Sequence, residues 1–159
     1  MIKTLVLLEV GLAAAIFLLA AAQYLGLSQA RREGRTQNIS RLVTYGTLMA
    51  LTVIYAVGNL IWLGSAPSPE DMSQVENLPT VNWTFLIIAV MIGILAAWDL
   101  VTHIRFVLTS LPHYKPRLMT ALAMVLLMIL LVGLNLARWE IYLDDIQSTY
   151  IESIPGSSA

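Results

Sequence analysis

The sequence predicts an all-α integral membrane protein: a four-transmembrane-helix bundle made of two hairpins, with both termini on the non-cytoplasmic side. Three observations lead to this prediction. Of the 159 residues, 58% are hydrophobic and only 12% are charged, whereas soluble domains have roughly one half and one quarter. Four long apolar runs make up most of the chain. The basic residues between these runs are distributed unevenly, and this distribution indicates which side each turn faces.

The four apolar runs are each long enough to cross a bilayer, and they occupy residues 4–27, 42–64, 83–106 and 118–137. The first run reaches about 36 Å as a helix, and a hydrocarbon core is about 30 Å thick. We expect this run to remain as a helix and not to be cleaved as a signal peptide, because Glu9 interrupts it and arginines follow it. All six prolines lie outside the runs, so each helix can satisfy its own backbone hydrogen bonds in lipid.

The orientation follows from the basic residues. Seven of the nine Lys and Arg residues lie in two turns, 28–41 and 103–117, and the connection 65–81 contains none. The positive-inside rule therefore places both basic turns in the cytoplasm and both termini outside. We expect the first turn to contact lipid headgroups through its four arginines, Arg31, Arg32, Arg35 and Arg41.

The remaining segments fit one membrane domain that covers residues 1–159. The connection 65–81 is predicted to be an outer loop that is too short for a domain of its own. Apolar and polar residues follow helical spacing over about 138–153, which predicts that the fourth helix continues outward. Four aromatic residues fall at the predicted outer boundary, as expected of an interfacial belt: Trp62, Trp83, Trp139 and Tyr142.

Ionisable residues inside the apolar runs are the first candidates for a functional site, because each is costly in lipid unless it is paired or hydrated. Glu9 lies roughly 7 Å inside the first helix, and Arg138 lies at similar depth at the outer end of the fourth. Asn59 and Asn135 occupy the same layer. The functional interpretation is a site for a cation, a proton or a polar ligand. The structural interpretation is a Glu9–Arg138 ion pair that locks helix packing or meets a partner subunit.

Asp99 and His103 form a second candidate pair on one face of the third helix, four residues apart. The functional interpretation is a carboxylate–imidazole proton relay or a quinone site. The structural interpretation is an interfacial Asp99 that faces Arg41 or Arg105, with His103 among the headgroups.

No cofactor is predicted. The chain has no cysteine, which excludes disulfides and thiolate-bound metals. A bis-histidine haem needs two imidazoles at matched depth on facing helices, whereas His103 lies near the inner edge and His113 lies in a turn between two prolines. No His and Glu residues have the spacing of a zinc or di-metal site. Nucleic acid is not expected as a partner, because the charged residues are divided among separate loops and do not form one large basic patch.

Pairs of small residues four positions apart occur in every run and predict close approach of helix backbones, within a packed bundle or at contacts with other subunits. They are Gly11/Ala15, Ala22/Gly26, Gly46/Ala50, Gly93/Ala97 and Gly133/Ala137.

No motif in the chain indicates a reaction or a substrate. Short loops, intact helices and the absence of a catalytic constellation favour a non-catalytic transmembrane subunit of a larger complex in a prokaryotic cell membrane. The alternative is a small oligomeric, ion- or proton-coupled transporter or channel that uses Glu9. A fainter alternative is an electron-transfer subunit with quinone or haem at Asp99 and His103. The expected partners are lipids and other transmembrane subunits or further copies of this chain.

Overall fold

The computed structural model describes residues 2–34, 39–65, 78–109 and 115–152, and these residues form four helices. The helices are α1 (Ile2–Arg32), α2 (Ile39–Ser65), α3 (Leu78–Thr109) and α4 (Lys115–Glu152). Each contains a stretch that is long and apolar enough to cross a membrane. The prediction of an all-α, multi-pass membrane protein with four spanning helices is therefore confirmed. The side on which each terminus lies stays a prediction, and Arg35 lies outside the described residues.

The helices extend beyond the apolar runs. α3 begins at Leu78, before the predicted span at residue 83, and α4 continues to Glu152. Pro79 and Pro116 consequently lie in the first turns of α3 and α4. A proline is tolerated there because the first backbone N–H groups of a helix have no intrahelical partner. The apolar residues indicate only the part of each helix that crosses the lipid. The helix itself is longer, because its backbone hydrogen bonds continue beyond the apolar residues.

The four helices pack as a ring. α1 and α3 each pack against both α2 and α4, and the described residues show no close backbone approach between the diagonal pairs. Glu9, near the start of α1, contacts Tyr55 in the second half of α2 and Arg138 in the second half of α4. Tyr45, near the start of α2, contacts Asp99 in the second half of α3. These contacts require neighbouring helices to be antiparallel. We call the end that holds the start of α1 the Glu9 end. The opposite end, which holds the last turn of α1 and the first turn of α2, is the basic end.

Each helix buries one stripe of residues at alternating spacings of three and four. A mean spacing of 3.5 residues is the seam of left-handed helix packing, in which side chains of one helix fit between those of the next. The buried stripe on α1 is Val6, Glu9, Ala13, Ile16 and Ala20, and the stripe on α4 is Ala121, Met124, Met128, Leu131, Asn135 and Arg138.

The prediction that small-residue pairs bring helix backbones together inside this bundle is wrong for Gly11, Gly26 and Gly133, while contact with other subunits at these positions stays a prediction. A Cβ atom built on any of these glycines would have no other side chain within 4 Å. Among the glycines of the predicted pairs, Gly93 makes a tight approach, since its Cβ would lie 2.9 Å from Cε of Met128. The seam is therefore set by the 3.5-residue stripe, and most glycines of the pairs fall on the outer faces of their helices.

Candidate functional site

Glu9 is the centre of a buried polar cluster at the Glu9 end of the bundle. Its side chain is 0% exposed. The Tyr55 hydroxyl on α2 donates a 2.7 Å hydrogen bond to Glu9 Oε2, and Nη1 of Arg138 on α4 lies 3.2 Å from the same oxygen. One carboxylate oxygen of α1 thus contacts both neighbouring helices. We call Glu9, Tyr55, Asn59, Asn135 and Arg138 the Glu9 cluster.

Arg138 is enclosed on several sides, although it lies near a helix end. Its guanidinium donates a hydrogen bond to Oδ1 of Asn59. The guanidinium carbon lies 5.1 Å from the centre of the Trp62 ring and 5.7 Å from that of Phe85, distances at which a cation is attracted by the ring face. Because Arg138 is 4% exposed, its charge is balanced by Glu9 and these rings, with little help from water.

The two asparagines complete the cluster. Asn59 Nδ2 donates to the Tyr55 carbonyl at 2.9 Å, and Asn135 Nδ2 donates to the Tyr55 hydroxyl at 3.3 Å. Glu9 Oε1 and Asn135 Oδ1 are buried and have no hydrogen-bond partner. The structure thus brings together all four residues of the predicted layer. Two oxygen atoms of the cluster can each still accept a hydrogen bond.

Tyr55 and Phe85 also belong to this site, although neither was predicted from the sequence. Tyr55 lies one helical turn before Asn59, a spacing that puts both on one face of α2 and could have identified it. The Phe85 ring packs edge-on against Tyr55, with centroids 5.8 Å apart and planes at 78°. Trp62, which was predicted only as a belt residue, contacts Arg138 and also packs edge-on against Tyr142 at 5.7 Å.

Gly58 makes room for Phe85, and this leads to a testable prediction. A Cβ atom at Gly58 would lie 2.8 Å from Cε1 of the Phe85 ring. We expect Gly58→Ala to push this ring out of its contacts with Tyr55 and Arg138. The expected loss of stability is about 1–3 kcal/mol, measured by reversible unfolding in mixed micelles. Gly11→Ala is the matched control, since nothing lies within 4 Å of its Cβ position. Equal stability of the two variants would contradict the prediction.

A second buried cluster, Tyr45, Asp99 and His103, lies towards the basic end, and we call it the Asp99 cluster. The Tyr45 hydroxyl donates a 2.8 Å hydrogen bond to Asp99 Oδ1. His103 Nδ1 lies 2.9 Å from the backbone oxygen of Asp99 and 3.4 Å from Oδ1. Asp99 Oδ2 is buried without a hydrogen-bond partner. The sequence analysis did not single out Tyr45.

The structural interpretation of the Asp99 pair requires a correction. It placed Asp99 at the interface opposite an arginine and His103 among headgroups. The structure buries both side chains, at 3% and 1% exposure, and the Tyr45 hydroxyl donates a hydrogen bond to the carboxylate. The reason is that Asp99 and His103 lie on the 3.5-residue stripe of α3, which turns them towards the bundle interior. That Asp99 faces Arg41 or Arg105 stays a prediction.

The arginines predicted to contact headgroups lie at the basic end where they are described. Arg31 and Arg32 are exposed in the last turn of α1, and Arg41 is half-buried in the first turn of α2. This position is compatible with contact to lipid phosphates, which stays a prediction.

Apolar layers separate the two clusters. Tyr45 and Tyr55 are ten positions apart on α2, which corresponds to about 15 Å along the helix axis. Fully buried residues fill the space between them, including Ile16, Leu48 and Met124. Thr52 is the polar member of this part of the α2 stripe, and its hydroxyl donates to carbonyl groups of its own helix.

The described residues contain no group of three or more His, Asp or Glu side chains that could hold a metal ion. Comparisons with protein-family models, with curated protein sequences and with solved structures find no match to this chain. Its function therefore has to be inferred from the chemistry of the two clusters and from the packing between them.

Proposed function

We propose that this chain is a non-catalytic transmembrane subunit of a larger membrane protein complex. The observation that supports this proposal best is that the charges inside the spans are engaged within the bundle. Glu9 contacts α2 and α4, and Arg138 contacts Glu9, Asn59 and two aromatic rings. A bundle locked in this way presents an apolar surface to its neighbours and needs no substrate to balance its charges.

The filled layers between the clusters also support a structural role. A substrate that crosses the membrane through one bundle would have to pass between fully buried side chains such as Leu48 and Met124. Protein interiors of this kind are close-packed, and opening them requires several side chains to move together. In the proposed orientation, the basic end faces the cytoplasm and its arginines hold the bundle at the headgroup level.

Photo-crosslinking from the lipid-facing positions tests this proposal. One position at mid-span on each helix is more than half exposed, and together they sample all four sides of the ring: Leu18, Ile54, Ile94 and Ile129. A photoreactive residue at each site, activated in native membranes, reports what covers that side. For a subunit, we expect crosslinks to a different protein from one or two sides and to lipid from the others.

Other crosslinking patterns would contradict this proposal. Lipid adducts from all four sides would show that the spans work without a protein partner. Crosslinks only to a second copy of the chain would favour a homo-oligomer over a subunit of a mixed complex. The four sites serve as controls for one another, because each is more than half exposed.

A small oligomeric transporter or channel that uses Glu9 is the second candidate. Its specific support is that Glu9 Oε1 and Asn135 Oδ1 are buried acceptors without partners. A carboxylate oxygen that accepts no hydrogen bond and lies beside an amide oxygen can bind a proton or accept a hydrogen bond from a ligand.

Reconstitution separates the two candidates. Purified chain in liposomes would move protons or a cationic amine if it is a transporter, and the movement would depend on Glu9. A subunit in the same liposomes would leave the gradient intact. Glu140→Gln is the matched control for any variant of Glu9, because Glu140 is an exposed acid two positions from Arg138.

A further inference from the structure

Two carboxylates are buried among the residues whose side chains the structure describes, and they are paired with cations of different kinds. Glu9 contacts the guanidinium of Arg138, which remains charged at every pH that a folded protein experiences. Asp99 contacts the imidazole of His103, and histidine is the residue type that accepts and releases a proton near neutral pH. Each carboxylate also accepts a hydrogen bond from a tyrosine of α2. The cation of the Glu9 cluster therefore has a fixed charge, whereas the imidazole of the Asp99 cluster has a charge that can change.

We propose that Asp99, His103 and Tyr45 form a reversible proton-binding site towards the basic end of the bundle. This site is separate from the Glu9 cluster, and the proposal does not depend on whether the chain is a subunit or a transporter.

The hydrogen bonds identify the atom that binds the proton. His103 Nδ1 lies 2.9 Å from the backbone oxygen of Asp99, and a carbonyl oxygen can only accept a hydrogen bond. Nδ1 must therefore carry a hydrogen in both charge states. The proton that comes and goes is bound at Nε2, and the positive charge it creates lies beside Asp99 Oδ1, 3.4 Å from Nδ1.

Tyr45 holds the carboxylate in place for this exchange. Its hydroxyl is bonded to Asp99 Oδ1 at 2.8 Å, and its ring is 1% exposed. Because Tyr45 is on α2, the hydrogen bond fixes the carboxylate relative to a second helix. The other oxygen of the carboxylate, Oδ2, has no hydrogen-bond partner. Hydrogen bonds from neutral groups therefore do not use all the acceptor positions of the carboxylate.

The surrounding charges allow both protonation states to exist inside the bundle. The helices packed against α3 are α2 and α4, and they bring the charges of Arg41 and Arg117 to bear on the Tyr45 hydroxyl. Arg105 follows His103 on α3 and is exposed. When His103 is neutral, Arg41 and Arg117 help to balance the Asp99 carboxylate, which accepts a hydrogen bond from that hydroxyl. When His103 is charged, the carboxylate balances it directly. Neither state leaves a buried charge without compensation, which is the main cost of a buried ion.

Nitrogen NMR of the histidine tests the proposal. The chain has two histidines, so His113→Gln leaves His103 as the sole source of signal when the protein is labelled with ¹⁵N-histidine in lipid nanodiscs. Between about pH 5 and 8, we expect the Nε2 resonance to move from its unprotonated to its protonated position while Nδ1 stays protonated. Signals that do not change over this range, or loss of the Nδ1 proton, would overturn the proposal.

Two variants in the same background test the part played by the carboxylate. Asp99→Asn keeps an oxygen that accepts from Tyr45 but removes the charge, and we expect the protonated Nε2 signal to be lost throughout the range. Asp144→Asn, at an exposed carboxylate of the Glu9 end, is expected to behave as the parent does. If Asp99→Asn binds the proton as the parent does, the proposal is wrong. If Asp99→Asn does not fold, the titration of the parent protein still tests whether His103 binds a proton reversibly.

Discussion

Replacing Glu9 with glutamine is expected to lower the free energy of unfolding by about 3–5 kcal/mol, the range found when one partner of a buried ion pair is removed. Glutamine retains an oxygen that accepts from Tyr55, so the hydroxyl keeps a partner. The loss arises because Arg138, at 4% exposure, would retain its charge with no anion among its described contacts. Reversible unfolding in mixed micelles measures the change.

Glu140→Gln is the control for this experiment. Glu140 is also an acid at the Glu9 end, but it is exposed, and surface charges contribute little to stability. We expect it to change the free energy of unfolding by less than about 1 kcal/mol. If Glu9→Gln were as mild as Glu140→Gln, Arg138 would have to reach the interface and become hydrated, and the ion pair would not lock the helices.

The residues of the Glu9 cluster that the sequence identified are those whose chemistry is unusual in lipid. A glutamate and an arginine in otherwise apolar runs stand out by charge alone, and their equal depth follows from counting residues along two helices of opposite direction. The same count placed Asn59 and Asn135 in that layer. The structure adds the contact distance between Glu9 and Arg138, which depends on helix rotation as well as depth.

Helix rotation is also why the tyrosines and glycines were misjudged. In a soluble helix, the polar face reveals the buried one, but a membrane helix is apolar on both sides. Tyr45 and Tyr55 therefore looked like other apolar residues, although their hydroxyls bind the two carboxylates. Gly11 and Gly133 looked like contact residues, although no side chain or neighbouring helix of the bundle lies within 4 Å of their Cβ positions. Counting in steps of 3.5 residues along each helix, from Glu9 on α1, Asn59 on α2 and Asn135 on α4, would have identified the buried face of that helix.

Removing both charges of the ion pair is expected to be less damaging than removing one. In the double variant Glu9→Gln/Arg138→Gln, neither charge remains, so no ion is left buried without its partner. The glutamine at position 138 can still donate an amide hydrogen to Asn59 or to the glutamine at position 9. We expect the double variant to be more stable than Glu9→Gln alone, with a coupling energy of about 0.5–3 kcal/mol in a double-mutant cycle.

The same double variant distinguishes the two functional proposals, because it removes the carboxylate without leaving a buried charge. If the chain is a structural subunit, the folded double variant should still crosslink to the same protein partner from the same side of the ring. If Glu9 carries a proton or a cation, the double variant should fold but fail to move it in liposomes. Additive effects of the two substitutions on stability would show instead that Glu9 and Arg138 act independently. In that case, the 3.2 Å contact between them would not hold α1 against α4.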